Sequence, residues 1–281
     1  YNSPDNCIFC FKIFFLMKAI IFNLSAWVML PIMDGFAKYL SATLPVLQIT
    51  WSRYFFTVVF VLPIMFFFFK ERLTWTEKPK LQLIRGLLLF CANILFFYSI
   101  SIISLAKALT LAFVAPLIVT ALSPFLLGEK VGLRRWSAVL TGFIGSLIVI
   151  RPGFVDINLA SIAALGTGIM YAFYLIVTRK LHKFDNPLLT LLLTGTVGTI
   201  IGSLIMPFVW VQPSIVEWYM MLAIGFFASI GHLFLILSLL YADASKLAPF
   251  GYFEIVPNII IGYFFFDHFP SLWHFVGLVI I

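Results

Sequence analysis

The chain has 281 residues, of which 63% are hydrophobic and 10% are charged, with a formal net charge of +7 and a mean hydropathy of +1.10. So little polar surface cannot coat a water-soluble globule of this length. The positive charge does not indicate nucleic acid, because the basic residues lie in short segments between apolar runs and form no basic and aromatic face. The sequence therefore predicts an integral membrane protein without a nucleic-acid partner.

Signatures of metal, redox or enzyme chemistry are weak. Cys7, Cys10 and Cys91 give no disulfide framework, and the Cys7/Cys10 pair has no second pair or histidine cluster beside it. The sequence has no glycine-rich phosphate loop after a strand, no HExxH and no nucleophile elbow. We therefore expect no metal site, no cofactor and no catalytic residues.

The apolar runs predict membrane-spanning helices in chain order. Residues 1–16 are interpreted as a leader or a non-native extension, because Met17-Lys18 before an apolar run is a more natural beginning. The runs are close to the ~20 residues that a helix needs to cross the hydrocarbon, and they lack the alternation of barrel strands. About ten helices are predicted, the last of them only half a span long, at 19–39, 47–69, 81–103, 105–127, 135–150, 159–180, 187–209, 217–240, 245–266 and from 271 onward.

The second half of the chain repeats the residue pattern of the first half. Residues 104–153 hold two apolar runs around the turn Gly128-Glu129-Lys130, and residues 244–281 repeat this pattern when Glu129 is placed opposite His268. Such an echo indicates an internal repeat. We therefore divide the chain into a first repeat, residues 17–151, and a second repeat, residues 152–281.

Basic residues concentrate in alternate connections. These are Lys12 and Lys18; Lys70, Arg72, Lys78, Lys80 and Arg85; Lys130, Arg134 and Arg135; and Arg179, Lys180 and Lys183. The positive-inside rule places these connections and the N-terminus in the cytoplasm. Because five helices are an odd number, the second repeat enters the membrane from the opposite side. The predicted fold is thus all-α and integral to the membrane, with about ten transmembrane helices in two inverted five-helix repeats.

A carboxylate lies about the middle of the ninth predicted helix. A charge at the centre of a membrane helix costs roughly 2.5–3.5 kcal/mol on insertion scales, so Glu254 is a candidate site residue. Lys246, Phe250, Glu254 and Asn258 follow at four-residue spacing, which places them on one helical face. Glu254 could neutralise a cationic substrate or take up a proton, or it could be a buried carboxyl that is hydrogen-bonded for packing.

Three charged residues near the predicted outer ends of helices have competing interpretations. Asp34 and Lys38 lie one turn apart and could pair with each other, and Lys38 could also extend to the interface. Arg53 lies roughly two turns inside the second helix, where it could hold an acidic partner or a lipid phosphate. A role of Asp34 or Arg53 in substrate binding is the alternative.

The remaining candidates are distributed over several helices. Lys107 starts the fourth helix and could attract an anionic group or extend to the interface. Asn93 and Phe97 share a face of the third helix, and His232 lies among small residues of the eighth. His232 could be a satisfied structural group or a proton relay. Glu129 is interpreted as a helix cap that pairs with neighbouring cations.

Several motifs together resemble a known family. They are Trp51-Ser52-Arg53-Tyr54, Leu83-Ile84-Arg85-Gly86, the run from Ala115 to Lys130, and Gly142 to Gly145. In this order, and with the repeat, they resemble the drug/metabolite transporter superfamily in its ten-helix EamA form. The segment from Ala248 to Glu254, continued by 266–270, looks most like the branch of S-adenosylmethionine uptake carriers, and riboflavin carriers are similar. Asp267-His268 departs from that branch, which usually has an acidic residue in the place of the histidine.

The resemblance implies a secondary transporter that moves a small organic metabolite across the bacterial inner membrane by alternating access, with S-adenosylmethionine uptake as one candidate. Its expected partners are the substrate and the lipid bilayer, and a homodimer is left open. Export of amino acids or other metabolites is one alternative, and a non-transporting membrane enzyme or scaffold is another. The candidate substrate or proton site comprises Glu254, Asn258, Phe250, Asn93, Phe97, Asp34, Lys107, His232 and Arg53.

Overall fold

A computed structural model gives the fold of residues 4–68, 76–150, 158–266 and 272–280. Nearly all of these residues are helical, and none of them belongs to a strand. The elements in chain order are α1 (Pro4–Leu40), α2 (Val46–Phe68), α3 (Pro79–Ile102), α4 (Leu105–Ala112), α5 (Val114–Leu127), α6 (Leu133–Ile150), α7 (Leu159–Leu181), α8 (Pro187–Val209), α9 (Ile215–Tyr241), α10 (Ala244–Leu247), a 3-10 segment (Ala248–Glu254), α11 (Ile255–Phe266) and α12 (Leu272–Ile280).

Eight stretches of the described residues are long and apolar enough to cross a membrane. They are Ile13–Leu40, Val46–Phe68, Pro79–Ile102, Leu105–Leu127, Leu159–Leu181, Pro187–Val209, Ile215–Tyr241 and Ala244–Phe266. The prediction of an all-helical membrane protein is confirmed. The fifth and tenth predicted spans coincide with α6 and α12, which are not among the eight, so the number of ten stays a prediction.

The first helix differs from its predicted bounds. We expected it to start at residue 19, but α1 starts at Pro4 because the apolar pattern continues upstream of Met17. The interpretation of residues 1–16 as a leader or extension is not tested by this helix. Asp267, His268, Lys70 and Arg72, which entered the sequence argument, lie outside the described residues.

Two helices that we predicted as continuous are broken near mid-span. The fourth is divided at Phe113 into α4 and α5, and the ninth into α10, the 3-10 segment and α11. Proline clashes with the carbonyl group four residues earlier. Pro116 therefore disfavours a regular turn at Ala112, where α4 ends, and Pro257 does the same at Phe253, within the 3-10 segment.

The break in the ninth span separates the residues that four-residue spacing had placed on one face. A 3-10 segment has three residues per turn instead of 3.6, so side chains before and after it point in different directions. Lys246 is exposed, and its Nζ lies 2.7 Å from Asp243 Oδ2. The prediction of one continuous polar face through Lys246, Phe250, Glu254 and Asn258 is therefore wrong.

The two halves of the chain pack against each other helix by helix. α1 packs chiefly on α9, α3 on α7, and α2 on α8, while α6 packs on α12. Small residues permit the closest approaches. A Cβ at Gly168 of α7 would lie 2.5 Å from the carbonyl oxygen of Ala112, and one at Gly198 of α8 would collide with the Tyr54 ring of α2. These glycines therefore let α7 and α8 pack directly on the first half.

One basic residue that we had assigned to a connection is in the core. Arg85 lies in the second turn of α3 and is 0% exposed. Its Nε donates to Thr178 Oγ1 at 2.8 Å, and its Nη1 donates to the carbonyl oxygen of Thr190 at 3.0 Å and to Thr194 Oγ1. Because every one of these partners belongs to α7 or α8, Arg85 joins α3 to the second half and is not part of the cytoplasmic charge pattern.

Candidate functional site

A cavity lies in the middle of the helix bundle. It measures about 930 Å³, counted to its open mouth, and its wall is formed by α1, α3, α4, α5, α7, α9, α10 and the 3-10 segment. Most of the wall is apolar, and its aromatic rings include Trp27, Phe96, Phe113 and Tyr171. Because α1 to α5 come from the first half and α7 to α10 from the second, the cavity lies between the halves.

Two carboxylates face this cavity from opposite halves. Asp34 of α1 is 3% exposed, and Glu254 of the 3-10 segment is half-buried. Within the described residues, neither side chain has a hydrogen bond or an ion pair. The two carboxylates interact electrostatically with each other, and Asp34 also interacts with Arg53. Since a buried charge normally has a partner, these carboxylates are available to a ligand or a proton.

Beside the cavity, two buried arginines are joined by a histidine of the cavity wall and a tyrosine. Arg53 Nη2 lies 2.5 Å from His232 Nε2, and His232 Nδ1 lies 3.0 Å from the Tyr174 hydroxyl. That hydroxyl accepts a hydrogen bond from Arg85 Nη2 at 2.8 Å. Because a guanidinium group can only donate, His232 Nε2 must accept, and its proton therefore sits on Nδ1. His232 is thus held neutral in one tautomer.

The aromatic and amide side chains of the wall are fixed by their own contacts. Trp27 Nε1 donates to Asn23 Oδ1 at 2.7 Å, and Asn23 Nδ2 donates to Ser238 Oγ at 3.2 Å. Tyr171 stacks on Tyr174 with the ring centroids 5.3 Å apart. The Tyr171 hydroxyl is buried and has no hydrogen-bond partner among the described residues. This hydroxyl is therefore a third polar group available to a ligand.

The structure brings four of the predicted site residues to the cavity. Asp34, Glu254, Asn93 and His232 are in its wall. The amide nitrogen of Asn93 is already hydrogen-bonded within the protein: Nδ2 donates to the Tyr54 hydroxyl at 2.9 Å and to the Leu89 carbonyl oxygen at 2.6 Å.

The other five predicted site residues are not in the cavity wall. Arg53 is 2% exposed and turned inward to His232 and Met33, not outward to lipid. Phe97 is packed in the core. Asn258 is buried one turn from Glu254, and its Nδ2 donates to the Glu254 carbonyl oxygen at 2.8 Å. Phe250 and Lys107 are half-buried at other positions.

The proposed pairing of Asp34 with Lys38 is not formed. Lys38 Nζ donates to the carbonyl oxygens of Ile100 at 2.7 Å and Ile103 at 3.2 Å, at the end of α3. Lysine side chains commonly satisfy the last carbonyl groups of a helix in this way. Lys38 is therefore not available to pair with Asp34, whose side chain lines the cavity.

Sequence reasoning missed Trp27, Asn23, Tyr171 and Tyr174. A polar residue four positions before a tryptophan in α1, and two tyrosines three positions apart in α7, were the only signals. Both are common in membrane helices, so neither signal is specific. Among the described residues, no three His, Cys, Asp or Glu side chains are grouped as metal ligands would be.

Comparisons with known proteins identify relatives over nearly the whole chain. The model of the EamA-like transporter family matches residues 17–151 and again residues 158–281. The S-adenosylmethionine uptake transporter of Rickettsia prowazekii (strain Madrid E) is 29% identical over 248 residues, which are 88% of this chain and 84% of the relative. The riboflavin transporter of Vibrio cholerae serotype O1 is 26% identical over 278 residues, 94% and 91% of the two chains.

A solved crystal structure of a protein superposes on the chain with a TM-score of 0.79. The two chains are 16% identical, and the match covers 94% of this chain and 93% of the other. At this identity the similarity concerns the fold alone. The resemblance inferred from the motifs is confirmed by the family match and by the relatives.

Proposed function

The chain belongs to the EamA-like transporter family, and from that premise we propose that it is a ten-helix carrier of two inverted halves that rock around the central cavity. The chain is a multi-pass membrane transporter, in keeping with its eight apolar spans and its named relatives. The family's members are transporters, which argues against the enzyme and scaffold alternatives. The observation that carries the proposal is a cavity between the halves whose wall holds two carboxylates that have no hydrogen bond or ion pair among the described residues.

The packing of the helices supports two inverted halves, residues 17–151 and 152–281. In two such repeats α1 corresponds to α7, and α3 corresponds to α9. The packing of α1 on α9 should then have a counterpart in the packing of α7 on α3. Both pairs of helices pack extensively in the structure. Corresponding residues of the two halves should also meet at the pseudo-twofold axis that relates the halves. Phe113 and Tyr252, which correspond when Glu129 is placed opposite His268, pack edge to face with centroids 5.2 Å apart.

The charges of the cavity favour a substrate that carries a positive group. Asp34 and Glu254 can neutralise a cation, and the rings of Trp27, Phe113 and Tyr171 can contact it through their faces. S-adenosylmethionine carries a positive sulfonium and a positive ammonium group, and similar relatives are named for its uptake. We therefore take uptake of S-adenosylmethionine as the leading candidate, with Glu254 also able to carry a coupling proton.

The test is uptake into proteoliposomes of labelled S-adenosylmethionine, riboflavin and a mixed panel of amino acids, with and without an imposed proton gradient. We expect saturable uptake of S-adenosylmethionine, with riboflavin, which has no positive group, taken up at least tenfold more slowly. Preloaded vesicles measure efflux, so export as the physiological direction is an outcome of the same experiment. Saturable uptake of riboflavin in preference to the cations would contradict the proposed role of the two carboxylates.

The proposed orientation has the N-terminus in the cytoplasm of a bacterial inner membrane. With ten spans, a reporter fused after Lys80 follows two spans and one fused after Gln212 follows seven. We expect a cytoplasmic reporter signal at Lys80 and a periplasmic signal at Gln212, measured with paired phosphatase and fluorescent-protein fusions. A cytoplasmic signal at both positions would be incompatible with inverted halves.

A further inference from the structure

The connection between α5 and α6 carries an acidic side chain into the other half of the molecule. α5 ends at Leu127 and is followed by Gly128, whose φ of 69° is the left-handed conformation that favours glycine at helix ends, and then by Glu129. The Glu129 side chain is 5% exposed. Its Oε1 accepts a hydrogen bond from the Ala244 backbone N–H at 2.9 Å, and its Oε2 accepts from the backbone N–H of Ser245 at 2.9 Å and from Ser245 Oγ at 2.6 Å. The start of α10 is therefore bound by the first half.

This arrangement replaces the usual local cap of a helix. Backbone N–H groups at a helix start need acceptors, and the residue just before the helix commonly supplies one. α4, which corresponds to α10 in the repeat, follows that rule, because Ser104 Oγ accepts from the Lys107 N–H at 3.4 Å. At α10 the corresponding residue is Asp243, and its side chain makes no such bond. Glu129 supplies the acceptor instead.

The Asp243 carboxylate is engaged by three cations. Arg179 Nη2 lies 3.1 Å from Oδ1, while Lys246 Nζ lies 2.7 Å and Arg135 Nη2 lies 3.6 Å from Oδ2. Burial by itself would raise the pKa of Asp243, but the hydrogen bond from Lys246 and the positive charges outweigh it and lower that pKa. Arg179 Nε also lies 3.5 Å from Glu129 Oε1, so that two acids and three cations form one cluster.

The cluster lies directly against one end of the cavity. Ala244, which donates to Glu129, is part of the cavity wall. Leu239 is also in the wall, and its carbonyl oxygen accepts a hydrogen bond from Arg179 Nη1 at 2.6 Å. The bonds between Glu129 and α10 therefore join the two halves at this end of the cavity.

We propose that Glu129 is a positioning residue of transport, which closes the cavity on the face of the basic connections through its bonds to α10. This inference rests on the proposed function, because it assigns the closing contact of the same cavity. At the opposite face, residues 103 and 104 between α3 and α4 include no acid, and the Lys38 ammonium donates to carbonyl oxygens there. Loss of Glu129 should therefore free one face and leave the other unchanged.

The first test measures access to the cavity without any substrate. In a variant in which Cys7, Cys10 and Cys91 are replaced, Val119→Cys places a thiol in the cavity wall, at a position that is 1% exposed. A membrane-impermeant methanethiosulfonate reagent is added on the face of the basic connections. We expect Glu129→Ala to increase the labelling rate about tenfold.

The matched control is Glu77→Gln. Glu77 is an exposed acid on the same face, and within the described residues its carboxylate makes no hydrogen bond or ion pair. The labelling rate of the protein that carries Glu77→Gln should stay within twofold of the rate of the parent protein. An equal labelling rate in the Glu129→Ala and parent proteins would overturn the proposal. If Glu129→Ala does not reach the membrane, Glu129→Gln keeps the shape of the side chain and should still give about a threefold increase.

The second test fixes the contact in place. Glu129→Cys together with Ser245→Cys puts one thiol on each side of this contact. Because the thiol at 129 is two bonds shorter than the carboxylate that it replaces, a short bifunctional methanethiosulfonate reagent joins the two thiols. We expect S-adenosylmethionine uptake to fall at least tenfold on cross-linking and to recover with a reductant. Full uptake by the cross-linked protein would overturn the proposal. A parent protein that transports nothing would instead refute the proposed function, while the labelling result would still stand.

Discussion

We expect Asp34→Asn to lower the uptake of S-adenosylmethionine about 100-fold. Loss of one member of a buried charge pair costs about 2–5 kcal/mol, which spans this factor. Asp34 lies in the cavity wall at 3% exposure, where little water is available to replace the lost attraction. The measurement is kcat/KM for uptake into proteoliposomes, at equal amounts of reconstituted protein.

The fold should tolerate this change. Asp34 has no hydrogen bond to any described residue, so the asparagine removes electrostatic interactions, such as the one with Arg53, but no hydrogen bond. The thermal midpoint in detergent should therefore change little, and Glu77→Gln serves as a matched exchange of acid for amide outside the cavity. Uptake by Asp34→Asn within threefold of the parent would show that this carboxylate does not hold the substrate.

Glu254→Gln separates substrate binding from proton coupling. If Glu254 carries the proton, this variant should lose the stimulation of uptake by a proton gradient while keeping facilitated exchange. If it holds the substrate, both activities should fall together. Unchanged uptake with an unchanged dependence on pH would exclude both roles.

Arg85→Ala should lower the free energy of unfolding by about 3–5 kcal/mol, the range seen when one member of a buried charged contact is removed. Arg85 is 0% exposed and donates to Thr178, Thr190, Thr194 and Tyr174. Its removal leaves buried acceptors without a donor and opens a cavity between α3, α7 and α8. Reversible unfolding in mixed micelles, or the thermal midpoint in detergent, measures the loss.

Two further variants determine whether charge or geometry matters at this position. Arg85→Lys keeps the charge but not the planar group that reaches four partners, so we expect an intermediate loss of about 2 kcal/mol. Arg134→Ala is the control, because Arg134 is exposed on the face of the basic connections. If Arg85→Ala is as stable as Arg134→Ala, the assignment of Arg85 to the joint between the halves is wrong.

Much of the fold could be predicted because the membrane imposes lengths. A helix must be about 20 residues long and apolar to cross the hydrocarbon, and eight of the predicted spans meet this condition in the structure. The breaks at Phe113 and in the 3-10 segment were not predicted from Pro116 and Pro257, because prolines also occur in continuous membrane helices. Whether a proline bends or divides a helix depends on the helices that pack beside it.

The candidate site was only partly predictable. Asp34 and Glu254 could be found because charge inside a membrane is costly, and such residues are few. For Arg53 the sequence left an acidic partner, a lipid phosphate and the substrate open, and the pattern of basic residues placed Arg85 in a connection. Both are buried and joined through His232 and Tyr174. A long side chain can turn inward or outward from the same backbone position, and its spacing along the chain does not say which.

The sequence by itself determined the membrane class, eight of the spans and the family, because composition, hydropathy and the order of the motifs are properties of the chain. It did not determine which helix faces meet in the cavity, since helices that are apolar all round carry no periodic signal of their buried side. Only the tertiary structure brought Asp34 of α1 to the same cavity as Glu254, and Glu129 to the start of α10. These contacts join residues more than a hundred positions apart, and the packing of the two halves alone decides them.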